Sequence, residues 1–401
     1  MQPSQDMRRQ LPGRRVPSNR GDAPDPAPHN HSCIPLTAFP PPPPPRSWQG
    51  LAKTGSGKTA AFVLPMLVHI LDQPEVAKGE GPIGLVLAPT RELAEQIHKE
   101  ARRFAKPHGL RICAAFGGLS KFDQVKELKA GTEAAVATPG RMIDLIKMRA
   151  CTLGRVTYVV LDEADRMFDM GFEPQVRTLM GQVRPDRQVL LFSATMPRKV
   201  ERLVSDVLSN PVRISVGQAG AANEDVAQHV EVLEGGEGAK RAWLMGRLQG
   251  FIDDGDVLVF AGQRAKVEDL VGVLVGAGYK AAAIHGDMDQ FARMAVLDAY
   301  RAGAHHVLVA TDVAARGLDI RSIRTVVNYD APKDIETHIH RVGRTGRAGD
   351  KDGAAWTLLE AGKNAQFAGQ LVQSLALAGQ EVPKALHALA MKCRASDDEM
   401  R

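Results

Sequence analysis

Short apolar runs alternate with helical patterns along most of this chain, and the alternation begins abruptly at Leu51. Such alternation is typical of βαβ units that build a parallel sheet. In the first half of the chain the apolar runs predict strands at 83–88, 111–116, 134–137, 156–161 and 189–192. Helical patterns at 91–105 and 197–208 accompany them. We therefore predict a doubly wound α/β domain with a parallel sheet over residues 51–215.

A looser stretch follows at 210–225, and it contains the turn-forming residues expected of a linker, an Asn-Pro step and a run rich in Gly, Asn and Asp. The alternation then resumes, with strands predicted at 256–260, 280–284, 306–310, 325–329 and 354–358. Helical patterns close the chain from residue 362 to about 393. We predict a second α/β domain over 226–380 and a helical extension over 381–401.

The first 50 residues differ from the rest of the chain in composition and pattern. They hold 13 of the 25 prolines, including the unbroken run from Pro40 to Pro45, and show no apolar periodicity. A segment of this composition cannot bury a core, so we predict a disordered, Pro-rich tail over 1–50 with local polyproline II structure. The proline run is either a passive spacer or a ligand for an aromatic groove.

Composition and charge restrict the class of protein. The hydrophobic share of 44% and the charged share of 24% are typical of a soluble globular protein, and no apolar stretch is long enough to span a bilayer. These features predict a nuclear or cytoplasmic protein without a membrane partner. The four cysteines lie far apart, which argues against a zinc site or a disulfide framework. Because six arginines against three aspartates in the tail supply most of the net charge of +5, a polyanion site in the folded part must be a local patch.

The residues A-K-T-G-S-G-K-T at 52–59 fit the phosphate-binding pattern G/A-x-x-x-x-G-K-S/T. In that pattern glycines let backbone N–H groups surround phosphates, the lysine (Lys58) reaches the β and γ oxygens, and the hydroxyl of Thr59 ligates Mg²⁺. The predicted nucleotide-binding residues are Ala52, Lys53, Thr54, Gly55, Ser56, Gly57, Lys58 and Thr59. The alternative is a glycine-rich turn that precedes a helix by chance.

A pair of carboxylates, Asp162 and Glu163, follows directly after the predicted strand 156–161. Carboxyl ends of parallel strands line the ligand crevice of an open α/β sheet. There Asp162 can hold Mg²⁺ and Glu163 can orient and deprotonate an attacking water. Such a pair is also common as an ordinary helix N-cap, but the phosphate-binding pattern upstream favours the catalytic interpretation.

Arginines recur at three-residue intervals in H-R-V-G-R-T-G-R at 340–347, separated by Gly343 and Gly346. This spacing suits a flexible loop that presents guanidinium groups to charge developing on a γ-phosphate. Solvated surface arginines are the alternative. Since these residues fall in the second predicted domain and Lys58 in the first, the catalytic site would be complete only when the domains close.

Further motifs follow in a fixed order. They are P-T-R-E-L-A at 89–94, Gly117-Gly118, T-P-G-R at 138–141, D-E-A-D at 162–165, S-A-T at 193–195, L-V-F at 258–260, H-G-D at 285–287 with Gln290 and Arg293, and T-D-V-A-A-R-G-L-D-I at 311–320. Together with the two motifs above, this series resembles the DEAD-box family of ATP-dependent RNA helicases over roughly residues 51–380. D-R-M-F-D-M-G-F-E at 165–173 and A-N-E-D-V at 222–226 resemble the branch of that family associated with the spliceosome.

The resemblance implies two tandem RecA-like domains, ATP and Mg²⁺ as cofactors, and RNA-stimulated ATP hydrolysis that drives local duplex unwinding or remodelling of RNA–protein complexes. It assigns Lys58, Thr59, Asp162 and Glu163 to ATP and Mg²⁺, with Thr59 and Asp162 nearest the metal. It assigns Asp319 to the ribose, and Arg344 and Arg347 to the arginine fingers. Ser193, Ala194 and Thr195, with His340 beside them, match the motif that couples hydrolysis to strand separation; a simple strand-end turn is the alternative.

The resemblance also implies that a monomer of this chain binds RNA through its backbone and works with spliceosomal or other RNA–protein partners. Backbone amides at helix starts and a few arginines suit phosphate and 2′-OH contacts, so binding should be salt dependent and nearly independent of sequence. The matching positions are Pro89, Thr90, Arg91, Gly117, Gly118, Thr138, Gly140, Arg141, Gly262, Gln263, Arg264, His285, Thr311 and Arg316. From the residues alone, only a polyanion is indicated.

One family feature is missing. The adenine-reading segment, an aromatic residue followed by a glutamine some tens of residues before the phosphate-binding loop, has no match here. The six prolines also allow at most the last few residues before Ala52 to pair as a strand. The abrupt change near Gly50 indicates an alternative or erroneous start, and it predicts impaired adenine selectivity.

Two further functions therefore remain open. The first is an RNA clamp or assembly factor with weak or no ATPase activity, because the adenine-reading segment is missing. The second is a DNA helicase or chromatin-remodelling translocase, against which the D-E-A-D and S-A-T motifs and the compact size argue.

Overall fold

The computed structural model describes residues 47–52, 56–196, 198–216, 226–312, 323–346 and 352–399. Most of the predicted tail, residues 1–46, lies outside this part of the chain. Within it, the strands form two separate parallel sheets of seven and six strands. Parallel sheets need both faces covered by helices, and each sheet has a buried core on both faces.

The strands and helices alternate along the described residues. The strands are β1 (Trp48–Ala52), β2 (Gly84–Leu87), β3 (Ile112–Ala115), β4 (Ala134–Ala137), β5 (Tyr158–Leu161), β6 (Gln188–Ser193), β7 (Val212–Val216), β8 (Val226–Leu233), β9 (Asp256–Phe260), β10 (Ala281–Ile284), β11 (Val307–Ala310), β12 (Ile323–Asn328) and β13 (Gly353–Glu360). The helices are α1 (Lys58–Leu71), α2 (Arg91–Ala105), α3 (Lys121–Lys129), α4 (Pro139–Lys147), α5 (Ala164–Asp169), α6 (Glu173–Met180), α7 (Arg198–Val207), α8 (Gly236–Asp254), α9 (Arg264–Gly276), α10 (Gln290–Arg301), α11 (Ile335–Val342), α12 (Ala365–Leu377) and α13 (Lys384–Glu399).

The first sheet has the strand order β3-β4-β2-β5-β6-β1-β7. Its neighbouring strands are parallel throughout. In β2, Leu85 and Leu87 pack into one buried cluster and Val86 packs into the other. Because successive side chains of a strand point to opposite faces, these two clusters cover the two faces of the sheet.

The second sheet has the order β10-β11-β9-β12-β13-β8, again with parallel neighbours. In β9, Leu258 and Phe260 pack into one cluster, and Val257 and Val259 pack into the opposite one. A further cluster joins Leu359 of β13 to α12 and α13. The expected doubly wound α/β fold is thus present in both halves of the chain.

Three strands differ from the sequence-based prediction. β7 occupies 212–216, inside the stretch expected to be a linker, and that part of the prediction is wrong. β8 at 226–233 was not predicted as a strand. β1 begins at Trp48, within the expected tail, and pairs on one side with β6 and on the other with β7. As expected, β1 follows the prolines and contains none of them.

In the described residues, no helix combines the length and the apolarity needed to cross a lipid bilayer. Cys113 and Cys151 are buried free thiols. Burial raises the pKa of Cys151 to about 11, which leaves the thiol protonated and suits a packing role.

Candidate functional site

β1 ends at Ala52 and α1 begins at Lys58. Gly57 precedes the helix with φ 84°, a left-handed conformation that favours glycine. The Nζ of Lys58 donates to the carbonyl oxygen of Ala52 at 3.0 Å, so the first residue of the helix contacts the end of the strand. The phosphate-binding pattern requires a strand and a helix in these positions. Lys53, Thr54 and Gly55 lie outside the described residues.

Asp162 and Glu163 follow β5, and both side chains are buried. Burial raises the pKa of Asp162 to about 6, and the nearby Lys58 ammonium opposes the rise. This electrostatic contact brings the carboxyl end of β5 to the phosphate-binding loop, as the sequence predicts. The Asp162 carboxylate also accepts a hydrogen bond from the backbone N–H of Glu163 at 3.0 Å.

Glu163 has an unusual backbone. Its φ of 49° and ψ of 53° place it in the left-handed region, directly before α5. For a residue with a Cβ this conformation costs ~1–2 kcal/mol. Strain of this kind concentrates at functional sites, and here it lies at the residue predicted to act on the attacking water.

Arg344 of the second half reaches Glu163 of the first. The guanidinium Nη2 of Arg344 lies 3.9 Å from Oε1 of Glu163, and both side chains are almost fully buried. The Arg344 Nε donates to the carbonyl oxygen of His340 at 3.1 Å, which fixes the direction of the side chain. The predicted meeting of an arginine from one domain and an acid from the other is present in the structure.

Asp165 is a hydrogen-bonding centre that the sequence analysis did not single out. Its Oδ2 accepts from the backbone N–H and the hydroxyl of Thr195 at 2.9 and 2.7 Å. The hydroxyl of Ser193 accepts from the Asp165 N–H at 3.2 Å, and His340 Nε2 lies 3.4 Å from Asp165 Oδ2. Burial alone would raise the pKa of Asp165, but His340 and Thr195 outweigh it and hold the pKa well below its usual value. Its place three residues after Asp162 in D-E-A-D was the available signal.

The first arginine of the H-R-V-G-R-T-G-R stretch is not part of a loop, contrary to expectation. Arg341 lies in α11, is buried, and makes a two-pronged contact with the carboxylate of Asp312 at 2.7 and 2.9 Å. Its guanidinium also stacks on the ring of Phe260 at 4.9 Å. Arg341 therefore holds α11 against the ends of β9 and β11, and it belongs to the framework of the site.

A cavity lies where these groups meet. Its lining includes Glu163 and Arg166 from the first half of the chain and Phe260, Asp312, His340 and Arg344 from the second. Acidic and basic groups from both sheets face the same space, so a ligand bound there would contact both halves of the chain.

The first-half positions predicted to bind RNA all lie at carboxyl ends of strands. Thr90 and Thr138 are the N-caps of α2 and α4, with extended backbones, and Thr90 Oγ1 accepts from the N–H of Leu93 at 3.3 Å. Gly118 has φ 88°. Arg91 packs against Gly117 so closely that a Cβ there would lie 2.7 Å from the guanidinium. The other predicted members of this set are Pro89, Gly140 and Arg141.

The described second-half positions predicted to bind RNA also lie at carboxyl ends of strands. Gln263 is the N-cap of α9, and the N–H of Gly262 donates to Asp330 Oδ2 at 2.9 Å. Arg264 donates to Asp287 at 2.7 Å. His285 and Thr311 follow β10 and β11. N-termini of helices attract phosphate groups, so this arrangement suits contacts to a nucleic acid backbone.

Three further predicted site residues, Arg316, Asp319 and Arg347, also lie outside the described part of the chain. The predicted Mg²⁺ ligands Thr59 and Asp162 supply hydroxyl and carboxylate oxygens, which are the donors that Mg²⁺ prefers. No group of three or more His, Cys, Asp or Glu side chains within the described ranges would enclose a metal ion. A hydroxyl and a single carboxylate suit a Mg²⁺ ion that would take its other ligands from water and phosphate oxygens.

Comparison with known proteins agrees with this geometry. The model of the DEAD/DEAH box helicase family matches residues 32–203, and that of the helicase conserved C-terminal domain matches residues 242–349. The chain belongs to the DEAD-box helicase family. The first match covers β1 to β6 and the second covers β9 to β12, so family membership accounts for most strands of both sheets.

Named relatives extend the comparison. DEAD-box ATP-dependent RNA helicase 24 of Oryza sativa subsp. japonica is 63% identical over 343 residues, which cover 86% of this chain and 44% of the relative. ATP-dependent RNA helicase DDX42 of Homo sapiens is 54% identical over 347 residues, covering 86% and 37%. This chain therefore spans less than half the length of the curated relatives it matches.

A solved structure shows the same architecture. S. cerevisiae Dbp5 bound to RNA and ADP BeF3 aligns with a TM-score of 0.73 and 29% identity, covering 85% of each chain. An alignment of that extent includes both sheets. The RecA-like, two-sheet fold implied by the sequence resemblance is confirmed.

Proposed function

We propose that this chain is an RNA-stimulated ATPase that separates short RNA duplexes or displaces proteins from RNA. The observation that carries the proposal is the approach of Arg344, from the second domain, to within 3.9 Å of Glu163, from the first. Neither domain alone holds both Glu163 and Arg344. Hydrolysis would therefore depend on the arrangement of the two domains, which is how RNA binding can control it.

Each residue has a part in this reaction. Lys58 and the amides of the loop at 52–59 bind the β and γ phosphates, while Thr59 and Asp162 hold Mg²⁺. When bound, Mg²⁺ supplies positive charge that offsets the charge of the phosphates. Glu163 orients the attacking water and accepts its proton. Arg344, joined by Arg347 on the sequence evidence, stabilises charge that develops on the γ-phosphate, and Asp319 contacts the ribose.

The contacts of Asp165 support a coupling role for the S-A-T motif. Asp165 binds Thr195 and Ser193 of the first domain and lies 3.4 Å from His340 of the second. A change at the γ-phosphate that moves Glu163 would also displace Asp165, two residues away, and with it His340. We propose that this contact links hydrolysis to the relative position of the domains and so to release of RNA.

RNA is the proposed polymer substrate, bound through phosphates and 2′-OH groups by the strand-end positions of both domains. We further propose that the chain acts as a monomer, in the nucleus or cytoplasm, alongside spliceosomal or other RNA–protein partners. Two features support RNA as the substrate: the family to which the chain belongs, and the N-cap positions of Thr90, Thr138 and Gln263. Affinity should fall steeply with salt and vary little with sequence.

Two substitutions test the assigned roles. Lys58→Ala should abolish ATP-driven turnover, because the β and γ phosphates lose their cation. Glu163→Gln should leave ATP bound and RNA clamped, because binding groups remain and only the proton acceptor is lost. Hydrolysis of ATP with and without RNA, together with RNA affinity in the presence of ATP, measures both effects. RNA-stimulated hydrolysis by Glu163→Gln at the wild-type rate would refute the roles.

A second candidate function is an RNA clamp with weak or no hydrolysis. The observation that favours it is the lack of a match to the family's adenine-reading segment ahead of β1. If the wild-type chain binds RNA but its ATP hydrolysis is no faster with RNA than without it, the clamp replaces the helicase. Adding a family-type segment ahead of Gly50 should then restore hydrolysis if that segment is the cause.

A further inference from the structure

Two phenylalanines stand out on the surface. Phe122 is 76% exposed and Phe291 is 86% exposed, the highest values among the large hydrophobic side chains in the described ranges. Phe122 is the second residue of α3, and Phe291 is the second residue of α10. An aromatic ring held in water forgoes the stabilisation that its burial would supply. Neither ring is buried in a core, so the exposure of the two rings needs another explanation.

The two phenylalanines lie beside one seam between the domains. A Cβ added at Gly118 of the first domain would lie 2.5 Å from Cγ of Gln290 in the second. Phe122 is four residues beyond Gly118, and Phe291 is next to Gln290. Each aromatic residue is thus within four positions along the chain of the same contact, one on each side of it.

Positive charge is available at the same place. Arg91 donates to the amide oxygen of Gln290 at 3.4 Å, and Arg141 donates to the amide oxygen of Gln124 and to the backbone oxygen of Leu119 at 3.1 and 3.3 Å. These acceptors are uncharged. Burial lowers the pKa of Arg141, Asp144 opposes the lowering and Arg91 adds to it, so the two guanidinium groups are within electrostatic reach of each other. Asp144 itself pairs with Lys121 at 3.0 Å.

Several acids near the seam have partners. Glu92 pairs with Arg293 at 3.0 Å, Asp287 with Arg264 at 2.7 Å, and Asp289 accepts from the N–H of Ala292 at 2.8 Å as the N-cap of α10. Arg91 and Arg141, whose hydrogen-bond acceptors are uncharged, can therefore attract an anion. Phe291 is next to Gln290, the acceptor of Arg91, and Phe122 is two residues from Gln124, an acceptor of Arg141. Exposed rings combined with positive charge match single-stranded nucleic acid better than an apolar protein surface.

We propose that Phe122 and Phe291 stack on bases of a single-stranded RNA segment that crosses the seam, while Arg91 and Arg141 bind its phosphates. The inference rests on the proposed RNA-binding function and adds base contacts to it. Stacking does not depend on base identity, because every base has a π-face, so binding remains independent of sequence. Stacking requires an RNA strand that carries bases, whereas contacts to the backbone do not. Removing bases therefore distinguishes the two kinds of contact.

Abasic RNA provides the test. Binding of a single-stranded RNA of about ten nucleotides, and of the same strand with abasic sites at its centre, is measured by fluorescence anisotropy at fixed salt. Wild type should prefer the base-containing strand. Phe122→Leu and Phe291→Leu should each weaken binding to that strand by ~5-fold or more and leave binding to the abasic strand unchanged. Tyrosine at either position should restore the preference.

Two controls accompany these variants. Leu377→Ala changes another exposed apolar residue, in α12, and should alter neither affinity. Arg141→Ala should weaken binding to both strands and reduce the salt dependence, because it removes a phosphate contact and no ring.

The binding measurements distinguish failure of the stacking inference from failure of the proposed function. If wild type binds both strands equally, or if the leucine variants bind base-containing RNA as wild type does, the stacking inference is wrong while salt-dependent RNA binding still supports the proposed function. If wild type binds neither strand, the proposed function fails as well. Loss of a protein partner with unchanged RNA affinity would assign the two rings to protein docking and overturn the inference.

Discussion

At the scale of single residues, buried charge is concentrated on a short stretch after β5. Asp162, Glu163 and Asp165 are all buried, and each carboxylate has a specific cationic or hydrogen-bonding neighbour. A buried carboxylate without such a neighbour would take up a proton. At Asp162 burial dominates and raises the pKa. At Asp165 the interactions with His340 and Thr195 outweigh burial and lower the pKa.

The lowered pKa of Asp165 predicts a pH-dependent stability. Because the folded-state pKa lies below the unfolded value of about 3.9, the carboxylate's contribution to the free energy of unfolding is complete above about pH 4 and is lost as the pH falls. We expect Asp165→Asn to lower the unfolding free energy by ~2 kcal/mol near neutral pH. The difference from wild type should shrink below about pH 4.

Urea titrations near pH 7 and near pH 3 measure this difference. Asp298→Asn is the matched control, because Asp298 is an exposed acid whose partner is Arg301. A difference between wild type and Asp165→Asn that is equally large at both pH values would contradict the role given to the charged carboxylate.

At the scale of elements, the sequence identified strands that are apolar on both faces. β2, β4, β5, β9 and β11 are short apolar runs in the sequence and buried strands in the structure, since a strand between two others in a covered sheet needs apolar side chains on both faces. α2 was predicted with its observed bounds because its apolar positions repeat at helical spacing.

The missed strands lie at or near sheet edges. β7 reads Val-Arg-Ile-Ser-Val and is exposed along its length, and β8 mixes apolar with polar residues. Both are edge strands, so one side lacks a neighbour and polar residues are tolerated. Apolar and polar residues alternate along β7, and this two-residue period was the available signal for a strand. The Asn-Pro step before β7 and the Gly- and Asn-rich run after it favoured a linker instead.

β1 depends on a glycine for its place in the sheet. A Cβ at Gly50 would lie 2.6 Å from the ring of Phe192 on β6, too close for either strand to keep its position. We therefore expect Gly50→Val to lower the unfolding free energy of the first domain by ~1–3 kcal/mol and to weaken ATP binding, because β1 leads into the phosphate-binding loop. Urea unfolding and nucleotide affinity measure the two effects.

Gly246→Ala is the matched control for this substitution. Gly246 lies inside α8 with no atom near the position of an added Cβ, so alanine there should stabilise its helix by ~1 kcal/mol. If Gly50→Val unfolds and binds ATP as wild type does, the close packing of β1 on Phe192 is not a requirement of the site.

At the scale of the whole molecule, side chains from the two domains meet at more than one place. Glu92 of α2 pairs with Arg293 of α10 at 3.0 Å, with both side chains nearly buried, and Gln290 contacts both Arg91 and Glu92. Arg344 and His340 meet Glu163 and Asp165 at the proposed hydrolytic site. Contacts near the predicted RNA-binding positions and contacts near the proposed hydrolytic site therefore lie on the same boundary.

The sequence identified most residues of this boundary but not how they pair. The motifs placed Arg344 and Glu163 in one mechanism because both residue types are needed for phosphoryl transfer. The pairing of Arg341 with Asp312, and of Asp165 with Thr195, depends on how loops at the ends of separate strands pack. Spacing along a chain does not specify such contacts, so they required the structure.

We propose that Arg344 of the second domain completes a hydrolytic site in the first. The rate of RNA-stimulated ATP hydrolysis by Arg344→Ala tests this role, with Arg241→Ala as a control from an exposed ion pair in the same domain. We expect a rate lower by ~10³-fold or more for Arg344→Ala with ATP still bound, and a wild-type rate for the control. Hydrolysis by Arg344→Ala at the wild-type rate would refute the role of this arginine.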